Sequence, residues 1–374
     1  MPAPLIVERL EDRLVPSFVE GTQFITVSLP LLVVWAGVGG GEVRVLNASQ
    51  TGDANANAPL LVLNPFGADF TGGVNVATAD LNGDTVPDIV AGMASGGSEV
   101  KVLDGKTGAV LQDFTAFEPT FLGGVNVAVG KVAANGWWGV VVGVAGQGGP
   151  HVKVYDAQTG AAEQSFFAFE PAFTGGVTVA AGDVTKDGTA DVVIGAGAGG
   201  GPRVEVFDGI THEVTRNFFA YDSTFTGGVN VAVTSLYQPA DLVVGSDVPG
   251  QPLRYIGPDT LLDSPSAPFI GTGARIAVAN FRGEGSGIDT LSFPQIVTGA
   301  GPGGGPHVEA LGFAANWGVV RSFFAFDMHF TGGVSVAAAS SVVDAVVAIV
   351  DPPFPQVPSD PSGNDPTQTP SGTK

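Results

Sequence analysis

An all-β fold, a ring of four-stranded antiparallel sheets, is what three features of this sequence predict. The first is an internal repeat: the triplet "GGV" begins at Gly72, Gly123, Gly175, Gly227 and Gly332, with intervals of 51, 52 and 52 residues and then 105, two periods. A fixed period of this length marks an array of units that cannot bury their faces alone. The second is composition. The 374 residues include 56 glycines but only 15 Lys and Arg together and 3 Met, a supply suited to short strands and tight turns and not to helices. The third is a taper within each unit: small side chains in its first segment and bulky ones in its last, as wedge-shaped blades around an axis require.

Each unit reads as four strands in one order, and the second copy shows them all: "GVNVATAD", "DIVAGMA", "EVKVLDG" and "LQDFTAF". The first strands, such as "VNVAVG" from Val125 and "VTVAAG" from Val177, carry only small groups fit for a crowded hub. Second and third strands are joined by glycine-rich stretches, "GAGAGGGP" from Gly195 and "GAGPGGGP" from Gly299, which suit hairpins needing positive φ. Third and fourth strands meet at "DGKTG" (Asp104 to Gly108) or "DAQTG" (Asp156 to Gly160), again turn chemistry. The fourth strands end on "FFAF" at Phe166 and Phe323 or "FFAY" at Phe218. A β-propeller is the architecture these segments fit. A degenerate copy starts at Gly271, and one period before Gly72 the stretch "TQFITVSL" reads as another first strand. A last start, "GVSVAAASS", holds only two segments, so seven blades with the last incomplete, or six with an accessory hairpin, both fit. With seven, the leader around Leu5 to Leu10 supplies an outer strand as a latch.

The chain divides into three regions: a leader over 1–20, a repeat domain over 21–350 and a tail over 351–374. The leader contains "LEDRLVPS", similar to a short motif ahead of repeat domains in some bacterial secreted or surface proteins, and an exposed, poorly ordered leader is the alternative. The Pro, Ser and Asp-rich tail has too little apolar surface to repay its ordering and is expected to be disordered. A formal charge of −21 argues against nucleic acid, which needs a basic stripe, and leaves divalent cations as natural partners. The absence of cysteine removes disulfides, thiol nucleophiles and thiolate metal sites. No apolar run is long enough for a spanning helix.

The chemistry-bearing feature is "DLNGDTVPD", Asp80 to Asp88, which joins first and second strands. Its alternating oxygen side chains in a tight loop can converge on one cation, and it continues into a strand where a helix–loop–helix calcium site would enter a helix. Together with "IVAG" or "VVIGAG" and a glycine turn recurring in register, this loop resembles the FG-GAP (VCBS-type) repeat of the integrin α-subunit propeller, over roughly 21–350. The resemblance implies a calcium-stabilised (Ca2+), non-catalytic binding or adhesion module, extracellular or at a bacterial cell surface, with a protein or carbohydrate ligand and a monomeric state. Carried over, the metal ligands are Asp80, Asn82, Asp84, the Val86 carbonyl and Asp88 in the second copy. In the fourth they are Asp183, Thr185, Asp187, the Thr189 carbonyl and Asp191, where threonine is a poorer ligand than asparagine. An Asx-turn, its aspartates bonded to backbone amides with no metal, is the alternative for both loops. The third copy, "KVAANGWWG", has lost its carboxylates, and the fifth and sixth, from Thr234 and Asn280, keep one or two acids.

His151, His307 and Arg203 share one place after "GGP", and are expected near Glu118, Glu170, Asp222 and Asp327. A polar grip around one mouth and a mere copying of turn residues are the two readings of that set. His212 and His329 show no partner at ligand spacing. Trp137 and Trp138 either stack on a sugar or fill the space of the lost loop. The glycine-rich turns are no nucleotide fingerprint, because a strand and not a helix follows them. A glycan hydrolase or lyase and a structural surface-layer component are the alternative functions; no carboxylate pair or activated nucleophile stands out for catalysis.

Overall fold

The computed structural model describes residues 6–7, 22–37, 39–47, 59–132, 136–234, 241–257, 261–264, 273–279, 295–301, 303–312 and 317–350. It divides into two units, one of residues 29–343 and one of residues 1–28 with 344–374. Within the latter, Ile6 and Val7 pair antiparallel with Ala348 and Val347. The leader and tail otherwise lie outside the described residues.

Among the described residues every regular element is a strand, and the strands form six four-stranded antiparallel blades, a six-bladed β-propeller. Blade 2 consists of Val74–Ala79, Asp88–Met93, Glu99–Leu103 and Val110–Thr115. Blade 3 consists of Val125–Gly130, Gly139–Val144, His151–Asp156 and Ala162–Phe167. Blade 4 repeats the order with Val177–Gly182, Asp191–Ala196, Arg203–Phe207 and Val214–Phe219. Blade 5 has Asn230–Thr234, Asp241–Gly245, Arg254–Ile256 and Leu261–Asp263. Blade 6 has Ala274–Ala279, Gln295–Ala300, His307–Gly312 and Gly318–Phe324.

Blade 1 corrects two expectations. Its inner strand comes from the end of the chain, Val334–Val350, and lies beside Thr22–Ala36, Val43–Asn47 and Leu61–Leu63. "GVSVAAASS" is therefore not the start of a seventh blade, and "TQFITVSL" belongs to a second strand, not a first. The reason is pairing: among the described residues the amino-terminal copy contributes no first strand of its own, and its open edge would leave a row of backbone donors and acceptors unmet. The first strand after Gly333 meets them and completes blade 1 on its inner side, while of the leader only Ile6 and Val7 are described, paired with the far end of that same strand.

Burial follows the taper. Second strands are the most buried, throughout in Asp191–Ala196, whereas fourth strands such as Val214–Phe219 alternate toward solvent. Valines of neighbouring blades share the cores between them; Val152 and Val154 of blade 3 pack with Val192 and Ile194 of blade 4. The glycine that recurs in the second strands of blades 2 to 6 sets that spacing, since a Cβ on Gly143 would come within 2.7 Å of Val177 and 2.9 Å of Val179 on the next blade. In "GGV" the second glycine is needed for its backbone: Gly176 has φ +73, and a Cβ there would come within 2.6 Å of Ala145 backbone atoms. A bulge recurs where third and fourth strands pair, at Val102/Leu103, Val154/Tyr155, Val206/Phe207 and Ala310/Leu311.

The scarce cations staple the blades together. On each of five third strands a cation lies over the aromatic ring that comes after the preceding blade's fourth strand: Arg44 over Phe326, Lys101 over Phe66, Lys153 over Phe117, Arg203 over Phe169 and Arg254 over Tyr221, at 4.6–5.8 Å. Three of them also donate to the carbonyl just before that ring: Arg44 to Ala325, Lys153 to Ala116 and Arg254 to Ala220. Each cation–π contact at such partly exposed sites is worth about 0.5–1 kcal/mol, so the set gives the ring a distributed seam.

Candidate functional site

The loops after the first strands of blades 2 and 4 are built around one buried carboxylate each. Asp88 and Asp191 open their second strands with no solvent exposure. Asp88 Oδ2 accepts the Leu81 and Asn82 backbone N–H at 2.9 and 3.1 Å, and Oδ1 accepts Gly105 N–H at 3.1 Å. Asp191 does the same with Val184, Thr185 and Gly209. One side chain thus ties the first-to-second loop to the turn between third and fourth strands. Burial pushes both carboxyls above the usual aspartate range, while these amide bonds pull the other way.

The other predicted ligands fold the loop on itself. Asp80 accepts Gly83 and Thr85 N–H, Asn82 Oδ1 accepts Asp84 N–H, and Asp84 accepts Val86 N–H. In blade 4, Asp183 accepts Lys186, Asp187 and Gly188 N–H, and Asp187 accepts Thr189 N–H. These are the Asx-turn bonds that the sequence allowed as an alternative to metal. They leave the cation question open, because each carboxylate oxygen that accepts one N–H retains another lone-pair direction. The loops also hold Thr85 and Lys186 at φ 72, with Gly83 and Gly188 positive beside them.

The two loops differ in where their acids converge. Ligand oxygens of Asp187, Asp191 and Asp208 lie within 4.8 Å of one another in blade 4. Asp208 comes from the turn between third and fourth strands, and sequence reasoning missed it; the signal was available, since "DG" or "DA" recurs there at Asp104, Asp156 and Asp208. In blade 2 the Asn82 amide stands in the equivalent gap, donating to Asp88 at 3.2 Å and to Asp104 at 3.0 Å. The blade 4 donors are all hard oxygens, a set that suits hard cations over softer, thiolate-seeking metals. The Thr211 backbone N–H, above all, holds the Asp208 carboxyl below its usual range.

The loop in blade 3 has replaced this chemistry with packing. Trp137 and Trp138, both half-buried, pack against the cores on opposite sides of the blade, and Lys131 lies 5.1 Å over the Trp138 ring. The fifth loop beyond Thr234 and the sixth from Asn280 fall outside the described residues. At the start of the fifth blade's second strand, Asp241 is bonded by the Tyr255 hydroxyl.

The histidine and arginine set after "GGP" does not assemble into one grip. Arg203 reaches Glu170 at 3.2 Å, but His151 bonds Ser165 and stacks on Phe167 at 4.7 Å, and His307 bonds Ser322. Asp327 pairs with His329 at 2.8 Å and Asp222 caps Thr224, while His212 bonds Gln164 across blades.

A second constellation surrounds the axis. The residue that follows the valine of "GGV", or Ala274 in its place, is polar in every blade: Asn75, Asn126, Thr178, Asn230, Arg275 and Ser335. Each of the first five donates to the next blade's inner strand. Asn75 bonds the Val125 carbonyl at 2.9 Å, Asn126 that of Val177 at 2.8 Å, Thr178 that of Val229 at 2.6 Å and Asn230 that of Ala274 at 3.1 Å. Arg275 bonds the Ser335 hydroxyl. This ring lines a cavity of about 420 Å3, together with Asp247 and a band of β-branched side chains. Reading the first strands only as small overlooked it, although the polar residue recurs in "VNV", "VTV" and "VSV".

No protein-family model matches the chain, and no curated protein matches it. Among solved structures, Saccharomyces cerevisiae Sqt1 is similar over 82% of this chain and 68% of its own, at 12% identity and TM-score 0.43. The dihydro-heme d1 dehydrogenase NirN, in complex with DHE, is similar over 82% of this chain and 56% of its own, at 14% identity and TM-score 0.41. Chaetomium thermophilum Raptor is similar over 88% of this chain and 29% of its own, at 11% identity and TM-score 0.47. Likenesses at this level carry no argument about what the chain does.

Proposed function

We propose that this chain is a calcium-stabilised, non-catalytic binding module of the FG-GAP (VCBS) kind, acting as a monomer outside the cell or at its surface on a protein or carbohydrate ligand. The observation that carries the calcium part is the gathering of Asp187, Asp191 and Asp208 within 4.8 Å. Three carboxylates so close repel one another, and a divalent cation relieves what Asx-turn bonds do not. Asp183, Thr185 and the Thr189 carbonyl complete an oxygen donor set, and the cation ties two loops of one blade together. Blade 2 offers Asp80, Asn82, Asp84, the Val86 carbonyl and Asp88 as a second, weaker site. The binding part is supported by the ring, whose cavity mouth carries polar groups of several blades, and by the absence of a catalytic constellation from the sequence.

Calcium stabilises by mass action. With a dissociation constant of about 10⁻⁴ to 10⁻³ M, as in extracellular modules, 10-mM-scale calcium adds about 1.4 to 2.7 kcal/mol over the chelated protein. Thermal melting in calcium and in EDTA measures this directly. Asp208→Asn is expected to remove most of the difference, and Asp104→Asn little of it. A melting temperature indifferent to both calcium and EDTA sinks the metal reading.

A further inference from the structure

We infer that the mouth of the axial cavity is a binding site for a net-neutral, hydroxyl-rich ligand, a sugar residue, held where blades 5 and 6 meet. The inference rests on the reading of the chain as a binding module, and not on calcium. Around most of the ring the pattern is uniform and uncharged. Asn75, Asn126, Thr178, Asn230 and Ser335 occupy the polar position, and Ala94, Ala145, Gly197 and Gly301 stand two residues after the glycine of the second strand. Blade junction 5–6 breaks both patterns together, with Arg275 at the former position and Asp247 at the latter.

These two are the charged residues of the cavity lining. They stand 3.8 Å apart, Arg275 Nε to Asp247 Oδ1, beyond hydrogen-bond length. Each is braced by a neutral ring member: Asn230 donates to Asp247 at 2.8 Å, and Arg275 donates to Ser335. Both side chains remain partly open to solvent, 24% for Arg275 and 44% for Asp247. A structural role alone, joining blades 5 and 6, is already met by Asn230 bonding the Ala274 carbonyl.

The chemistry selects the ligand. The charges of Arg275 and Asp247 cancel, so the site sets no net charge on its occupant, and a lone ligand charge would be left uncompensated. A hydroxyl both accepts from a guanidinium and donates to a carboxylate, so adjacent hydroxyls of one ring satisfy both partners at this spacing. The amides of Asn75 and Asn126 add donors and acceptors around the rim. Behind them Val76, Val127, Val179 and Val231, 7–8% exposed, give the C–H face of a sugar an apolar wall. At about 420 Å3 the cavity falls within the roughly 300–1,000 Å3 of small-ligand sites.

The test uses the full chain and saturation-transfer NMR with calorimetry, on methyl glycosides of the common neutral hexoses, on oligosaccharides ending in the same residues, and on succinate and glycine betaine. Arg275→Asn and Asp247→Ala reproduce residues the other blades carry at these places, and a melting temperature near that of the parent confirms that each variant is folded. The expected result is saturable binding of at least one neutral glycoside, weakened roughly tenfold or more by either substitution. Binding of the free glycoside alone identifies a free sugar as the occupant; binding of the oligosaccharide as well identifies a glycan chain end. The inference is overturned if no neutral glycoside binds, if binding survives both substitutions, or if succinate or glycine betaine binds in preference. Repeating the titration in EDTA separates the two readings: glycoside binding is expected to persist there, so a chain that ignores chelation yet binds sugar defeats the calcium proposal and leaves this one standing.

Discussion

The loops of blades 2 and 4 have the same length, the same buried aspartate and the same pair of positive-φ positions, but not the same contents between the acids. In blade 2 the Asn82 amide donates to Asp88 and Asp104 at once, placing partial positive charge where two carboxylates face each other. In blade 4, Thr185 takes that sequence position, and its hydroxyl reaches only Asp191, at 3.3 Å. Asp208 is then left beside Asp187 and Asp191. Asparagine had seemed the better ligand from the chemistry of the isolated side chain. In the folded loop it serves as an internal substitute for a cation, and the poorer ligand leaves the more acidic hole.

The largest effect expected is shared by both loops. Asp191→Ala strands the N–H groups of Val184, Thr185 and Gly209, and Asp88→Ala those of Leu81, Asn82 and Gly105, so each should cost about 2–4 kcal/mol in urea unfolding with EDTA present. A loss confined to one of the two would break the equivalence of the frames. Acidity should then separate frame from cation. Burial raises the Asp191 carboxyl above its usual range, so the chelated folded state takes up this proton more readily than the unfolded chain. As pH falls through that raised value toward 3.8, Asp191 therefore adds stability to the chelated protein. Calcium needs the same carboxylate ionised, so its increment of melting temperature is full near neutrality and should shrink over that interval. An increment unchanged by acid would remove the carboxylates from the metal reading.

Exchanging the contents is a smaller perturbation. Asn82→Asp puts a carboxylate between Asp88 and Asp104, and should destabilise the EDTA form by about 1 kcal/mol while enlarging the response to calcium. If the calcium response does not grow, the amide is not what separates the loops. The smallest effect tests the shared backbone: Thr85→Gly and Lys186→Gly relieve a left-handed residue at φ 72 and should each stabilise by about 0.5–1 kcal/mol, calcium or not. Circular dichroism melts are sufficient to read it.

Much of this was legible in the chain itself. The 52-residue period, the four segments and the small-to-large taper come from local patterning, because strand alternation, turn chemistry and side-chain size act over a few residues and repeat with the unit. So did the oxygen-rich loops, whose spacing shows in nine consecutive residues. The ring count did not, because an array read along the sequence has no sign of where it closes; pairing the first copy's bare edge with the strand after Gly333 is decided by backbone hydrogen bonds between opposite ends of the chain. Asp208 joined Asp187 and Asp191 only once the third-to-fourth turn folded back on the loop. Likewise Arg275 met Asp247 only where the inner edges of two adjacent blades come together around the axis. Sequence by itself determined the blade and its loops, for those energies are local; tertiary structure decided closure, convergence of charge and the axial ring, for those depend on distances that only the closed circle sets.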